Sequence, residues 1–204
     1  MKVLREVSDE YVVLQFLQAE IASPRFGDMV RDALQAIGAN EELILDANLQ
    51  NAEQNRVRRQ VLAKYRGWGD NLYLFQNFPQ SIHWQQIELT ADDVGDLHYI
   101  NYSYWNELSK GSGLVRDAVS TVRQGTLVYG KSNDHFLEVS TGIESGKRYA
   151  EIILVAETLD SPLVILEGHL RATAYGLAMK GSDKLHAILG VAPGVRTWAK
   201  QSFG

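Results

Sequence analysis

The sequence predicts an α+β fold: a helical region over residues 1–79, packed on a second region, residues 80–204, that carries a mixed sheet with flanking helices. Three observations predict it. Apolar residues recur at helical spacing as far as Arg66, strand-like alternation sets in near residue 80, and from Thr126 short apolar runs alternate with turn-rich segments.

Element by element, Ser8 caps a helix with Tyr11, Leu14, Leu17 and Ile21 as its apolar stripe, and Ser23-Pro24 ends it. Phe26, Val30, Leu34 and Ile37 define a second helix, closed by Gly38. A third spans about Gln50–Arg66 with Gly67 as its stop, and its outer face is expected to carry "RVRR" at 56–59 as a solvated charge run. Glycine, asparagine and proline among aromatics at 67–80 read as a packed connection. Alternation at Ile82, Trp84, Ile87 and Leu89 predicts a strand. Thr90 and Asp93 form a capping box for a helix reaching Leu108, and another helix covers about Leu114–Gln124. Strands are then expected at 126–129, 135–140, 148–157, 163–167 and 185–191, with one helix at about Leu170–Lys180. The strand "LVILE" at 163–167 is expected in the sheet interior.

Composition bounds the function. At 204 residues, 45% hydrophobic and 22% charged, the chain reads as a soluble globular protein with a sizeable core. It has no run of ~20 apolar residues and no signal-peptide core at its start, so a cytoplasmic protein with no membrane partner is expected. Zero cysteines remove disulfides, thiol nucleophiles and thiolate metal sites. A net charge of −5 gives no general attraction to nucleic acid, which would need a local basic patch; self-association stays open.

The segment with the most chemistry is "LVILEGHLRATAY" at 163–175. An apolar strand runs into Glu167, Gly168 and His169, and Arg171 stands in the first turn of the following helix. Glycine leaves room for close backbone approach, and a helix start presents free N–H groups and the positive dipole end. Arginine has the wrong sign for that dipole unless it meets an anion. The alternative is an ordinary turn in which Arg171 pairs with Glu167. "SKGSGLVR" at 109–116 offers a second glycine-containing turn, where Lys110, Ser112 and Arg116 would add an anion contact; the alternative, which the pattern favours, is a plain capped turn. The five histidines lack zinc-ligand spacing, and no Walker A loop or G-x-S-x-G elbow is present.

On these residues, with "VRQG" and "LHAILGV" around them, the stretch of about 80–192 resembles the ParB/sulfiredoxin-like superfamily, whose signature is a strand ending in Gly-x-x-Arg at the head of a helix. The resemblance implies that Gly168 and Arg171 hold phosphate. Glu167 and His169 match the start of the motif in the ParB-like free serine kinases, an acidic residue followed by Gly-His-His-Arg, whereas Leu170 departs from it. The implied ligand is a nucleotide (ATP, ADP or CTP, with magnesium) or another phosphorylated small molecule. The implied activity is nucleotide-dependent phosphotransfer, with Glu167 as metal ligand or general base and His169 as phosphate contact or acid/base. Sulfiredoxin chemistry is removed because its cysteine falls on His169. No helix-turn-helix follows the motif as it does in partition proteins. A non-enzymatic DNA-associated or protein-binding regulatory module is the rival reading.

Overall fold

The structure, a computed structural model, describes residues 1–201. Among these residues the chain is α+β, with five strands and ten α-helices. The strands are β1 (Lys2–Glu6), β2 (His83–Thr90), β3 (Ile152–Ala156), β4 (Val164–Glu167) and β5 (Lys184–Val191), in the order β1-β2-β5-β3-β4. Only β3 and β5 run parallel; the other neighbours are antiparallel. The sheet is therefore mixed.

Each face of the sheet carries its own core because side chains alternate along the strands. Ile153, Val155, Ile188 and Trp84 face the N-terminal helices α1 (Asp9–Ile21), α2 (Gly27–Gln35), α3 (Glu42–Leu45) and α4 (Ala52–Arg66). Ile152, Leu154, Ala187 and Leu189 face α5 (Ala91–Gly95), α7 (Val115–Arg123), α8 (Asp134–Glu144) and α9 (His169–Ala178), with α6 (Ser103–Leu108) at the rim. Helix α1 is buried on most sides, between the sheet and α2–α4. Ser8 caps α1, Asn51 caps α4, and Gly67 at φ +80° ends α4. The last helix, α10 (Val195–Ala199), sits in the C-terminal tail and seats Trp198 in the core of the first face, where its indole Nε1 donates to the Leu74 carbonyl at 3.0 Å.

Several sequence expectations are corrected. The first 79 residues are not all helical: β1 pairs with β2 and ties the N-terminus into the sheet. All five β1 residues are exposed, so no apolar stripe announces the strand. The runs 126–129 and 135–140 are not strands. Tyr129 at φ +49° and Gly130 at φ +74° make a tight turn closed by mutual backbone hydrogen bonds between Val128 and Lys131. "HFLEVS" lies in α8, where packing against α9 buries Phe136 and Ser140 one turn apart and overrides the strand preference of Phe and Val. The helix expected across 90–108 breaks into α5 and α6, since the backbone of 97–99 leaves helical geometry to bond with 113–115 and 163–165. Strand β4 is the last in the sheet rather than an interior strand. Its outer side is nonetheless covered: His98 N–H donates to Leu163 O and Ile165 N–H to His98 O, each at 2.8 Å.

"RVRR" is also not a uniform outer face. Arg56 pairs with Glu53, and Arg59 with Glu10 at 2.7 Å. Arg58 is fully buried, donates to the carbonyls of Leu43 at 2.8 Å and Asn48 at 3.1 Å, and also bonds Asn55. It stitches α3 and the 46–51 loop to α4. Arg58→Ala should therefore destabilise the protein by roughly 2–4 kcal/mol, because the Leu43 and Asn48 carbonyls lose a charged donor and the buried side chain leaves a void. Arg56→Gln should leave the unfolding midpoint unchanged. Urea denaturation of both variants checks the contrast, and equal midpoints would contradict it.

Candidate functional site

The turn at 167–171 is built by a bulge and a glycine. Ile153 pairs with Glu167 but Leu154 pairs with Ile165, so Leu166 is the extra residue of a β-bulge. The bulge puts Glu167 opposite Ile153, on the side of the sheet covered by the N-terminal helices. Gly168 then takes φ +99° as the N-cap of α9. A Cβ there would lie 2.7 Å from Ile152 Cγ2 and 3.0 Å from an Arg171 nitrogen, so only glycine fits. Helix α9 has no side-chain cap and no acidic residue in its first turn, so its dipole end has no fixed counter-charge beyond the turn itself.

Four charged groups gather there from two layers. Arg171 Nη2 donates to Glu167 Oε2 at 2.5 Å, with the two side chains 12% and 14% exposed. The pairing set out from the sequence as the alternative to an anion contact is thus present in the structure. From α1 and α4 come Glu20 and Arg66, 1% and 19% exposed; Arg66 Nε donates to the two Glu20 carboxylate oxygens at 2.9 and 3.2 Å. The Arg66 guanidinium also lies 3.8 Å from the centre of the Phe26 ring. Burial raises the Glu167 pKa above the usual carboxylate value; Arg171 opposes this, the Glu20 charge adds to it, and Arg66 opposes it again.

His169 completes the cluster on the other side. Its ring lies nearly parallel to those of Trp105, at 5.2 Å and 15°, and Tyr99, at 6.1 Å and 15°. Tyr99 Oη is 2.7 Å from Thr173 Oγ1, which donates to the His169 carbonyl at 3.0 Å. Burial, with Arg66 and Arg171 adding to it, pushes His169 down to about 3, so the imidazole is neutral near pH 7. Its Nε2 is buried with no hydrogen-bond partner. Trp84 and Trp198 are core residues, whereas Trp105 lines this wall.

The other sequence candidates lie elsewhere. Lys110 Nζ donates to Gln124, Ser112 Oγ bonds the Ser109 carbonyl and accepts from Leu114 N–H, and Arg116 pairs with Asp96. Those partners all lie outside the 167–171 turn. The 109–113 loop instead holds the aromatic wall: Ser109 Oγ donates to the Trp105 carbonyl at 2.7 Å, and Tyr99 N–H donates to Gly113 O at 2.8 Å. Arg116 lines a cleft of about 530 Å³ with Asp93, Asp96, His98 and Asp160, near the opposite end of β4 from the motif. A second cleft, of about 460 Å³, lies between Gly38 and Gln54. Neither includes residues 167–171 in its lining.

Glu20, Arg66, Tyr99, Trp105 and Thr173, with Tyr65, whose hydroxyl lies beside Glu20, are the neighbours of the candidate turn that sequence reasoning missed. One signal was present: Glu20 is a carboxylate at i+3 and i+4 from Leu17 and Phe16, on a buried helix face where charge needs a partner. Comparison with protein-family models, curated proteins and solved structures finds no match.

The His169 environment sets a pH dependence. The group is neutral in the folded chain down to about 3 but takes a proton near 6.5 when unfolded. The unfolded state therefore binds the extra proton between those values, and stability falls as pH drops through that window. His169→Gln should lower melting temperature less steeply from pH 6.5 to 3.5 than the parent does. Thermal melts across that range check it, and identical slopes would count against a buried neutral imidazole.

Proposed function

We propose that the chain binds a nucleotide or another phosphorylated small molecule at the 167–171 turn, as a ParB/sulfiredoxin-like protein, and that phosphotransfer is the reaction the site would serve. The observation that supports this best is where the buried hydrogen-bonding groups without partners fall. Among the described residues two such side-chain atoms, Arg171 Nε and His169 Nε2, belong to this one cluster. An orphaned buried group costs about 1–3 kcal/mol, and an anion with several acceptor oxygens would satisfy such donors together. The uncapped start of α9 and the glycine at its N-cap favour the same occupant.

Each residue then has a role set by its surroundings. Arg171 exchanges the Glu167 carboxylate for phosphate oxygens, which its fork suits equally well. His169, held neutral, contacts phosphate as a hydrogen-bond donor rather than as an imidazolium acid. Glu167, its pKa raised by burial, becomes a base once Arg171 has turned away. Among the described residues no three His, Asp or Glu side chains form a metal cage. Magnesium accompanying a nucleotide needs only one or two carboxylates, and Glu167 would supply one while the ion offsets phosphate charge. The DNA-associated rival lacks a continuous basic face, because Arg56 and Arg59 are paired with Glu53 and Glu10 and Arg58 is buried.

A thermal-shift screen of ATP, ADP, CTP and inorganic phosphate, with and without magnesium, tests the reading; a ligand that binds only the folded state raises apparent stability by RT ln(1 + [L]/Kd). At least one should raise the melting temperature. Arg171→Lys, which keeps the charge beside Glu167, should weaken that ligand about tenfold, the worth of one charge-assisted hydrogen bond. Glu167→Gln should tighten inorganic phosphate by freeing the guanidinium. No shift with any of the four ligands, or unchanged affinity in both variants, would leave the turn as a structural ion pair.

A further inference from the structure

The Glu20–Arg66 pair joins α1 to α4, and the same bond could be nothing more than a brace between two helices. Three observations give it a second role. The bulge in β4 aims Glu167 toward the helical layer, so the motif's own ion pair faces the layer that holds Glu20 and Arg66. Tyr65, next to Arg66 at the end of α4, holds its hydroxyl beside the Glu20 carboxylate, where burial and the Glu20 charge raise its pKa above the usual phenol value, so the N-terminal layer brings a further donor to the cluster. Arg66 is the more exposed partner of its pair, 19% against 1% for Glu20, and its guanidinium already rests on the Phe26 ring. That ring would go on supporting the guanidinium if its carboxylate contact were lost.

We propose that Arg66 is a second anion-binding residue of the same site, and that the site takes a ligand with two adjacent anionic groups, a diphosphate, gripped by Arg171 from the motif and by Arg66 from the helical layer. The inference rests on the phosphate-binding reading of the turn. In the resting protein Glu20 and Glu167 stand where the phosphate oxygens would be, one carboxylate for each guanidinium. Binding exchanges both partners, and Tyr65 Oη donates to the bridging ligand from the α4 side. Residues 1–66 thereby form one wall of the site, and the Gly-x-x-Arg turn forms the other.

Calorimetric titration with inorganic pyrophosphate and inorganic phosphate separates this from the simpler reading. The parent should bind pyrophosphate at least tenfold more tightly than phosphate. Arg66→Gln should remove that advantage while phosphate affinity, held by Arg171, stays within about twofold. Arg66→Lys keeps a cation beside Glu20 and so preserves the fold; it should also lose most of the advantage, because a point charge cannot span two oxygens. Glu20→Gln should tighten pyrophosphate severalfold and leave phosphate unchanged. If Arg66→Lys is folded and binds pyrophosphate as the parent does, Arg66 is a brace only and the proposal is overturned, while the phosphate site at Arg171 stands. If the parent binds neither anion, the diphosphate proposal is overturned, and the phosphate-binding reading falls with it when the nucleotides also fail to raise the melting temperature.

Discussion

Charge that water cannot easily reach has to be neutralised by the protein itself, and this requirement organises the centre of the molecule. Two carboxylates and two guanidiniums meet between α1, α4 and the β4–α9 turn, all four less than one-fifth exposed. Such pairs gain little net stability over apolar packing, yet removing one partner leaves an uncompensated charge and costs about 3–5 kcal/mol. The cluster is therefore poor as glue and strict as a locator. It holds only if the bulge turns Glu167 toward the helices, Gly168 adopts its left-handed conformation, and α1 lies deep enough to bury Glu20.

The aromatic wall obeys a related constraint. A histidine close to two arginines and screened from water cannot hold a proton near neutrality, so it behaves as a flat, weakly polar ring and stacks. Trp105 and Tyr99 supply the complementary faces, and neither belongs to the motif. Their positions are set by backbone bonds from the 109–113 loop and by the Tyr99–Thr173 contact. In the sequence that loop read as a plain capped turn or as a second anion contact. In the structure it positions the wall behind His169, while Lys110 and Arg116 find other partners.

What was legible in the sequence follows from which interactions are local. Gly168 and Arg171 were legible because a strand end, a glycine and a helix start are adjacent in the chain. The α4 boundaries were legible to within two residues because Gly67 is a local stop. Strand β1 was not, since one neighbour's hydrogen bonds specify it and its exposed side chains carry no pattern. Helix α8 was misread because its β-branched and aromatic residues favour strands locally, and only its packing on α9 decides otherwise. Glu20 and Arg66 lie 46 positions apart, and no spacing rule couples them. Arg58 shows the same limit: a basic residue in a basic run reads as solvated until the carbonyls of Leu43 and Asn48 close over it.

The balance of the four charges also constrains how an anion could enter. The resting cluster is neutral, so a phosphate group added to it leaves the site with excess negative charge in a poorly solvated place. Three remedies are open to the chemistry present. Glu167, already shifted toward its neutral form by burial, can take up a proton; the ligand can bring a cation; or the more exposed Arg66 side of the cluster can admit water around Glu20. The first two act at the β4–α9 turn and the third in the helical layer. With either of the first two a single phosphate would stay within the motif, whereas the third would extend binding to the helical layer. In the proposed diphosphate complex the carboxylates displaced would sit on two different layers of the fold, so occupancy of the turn and the packing of α1 against α4 would be coupled through the same four side chains.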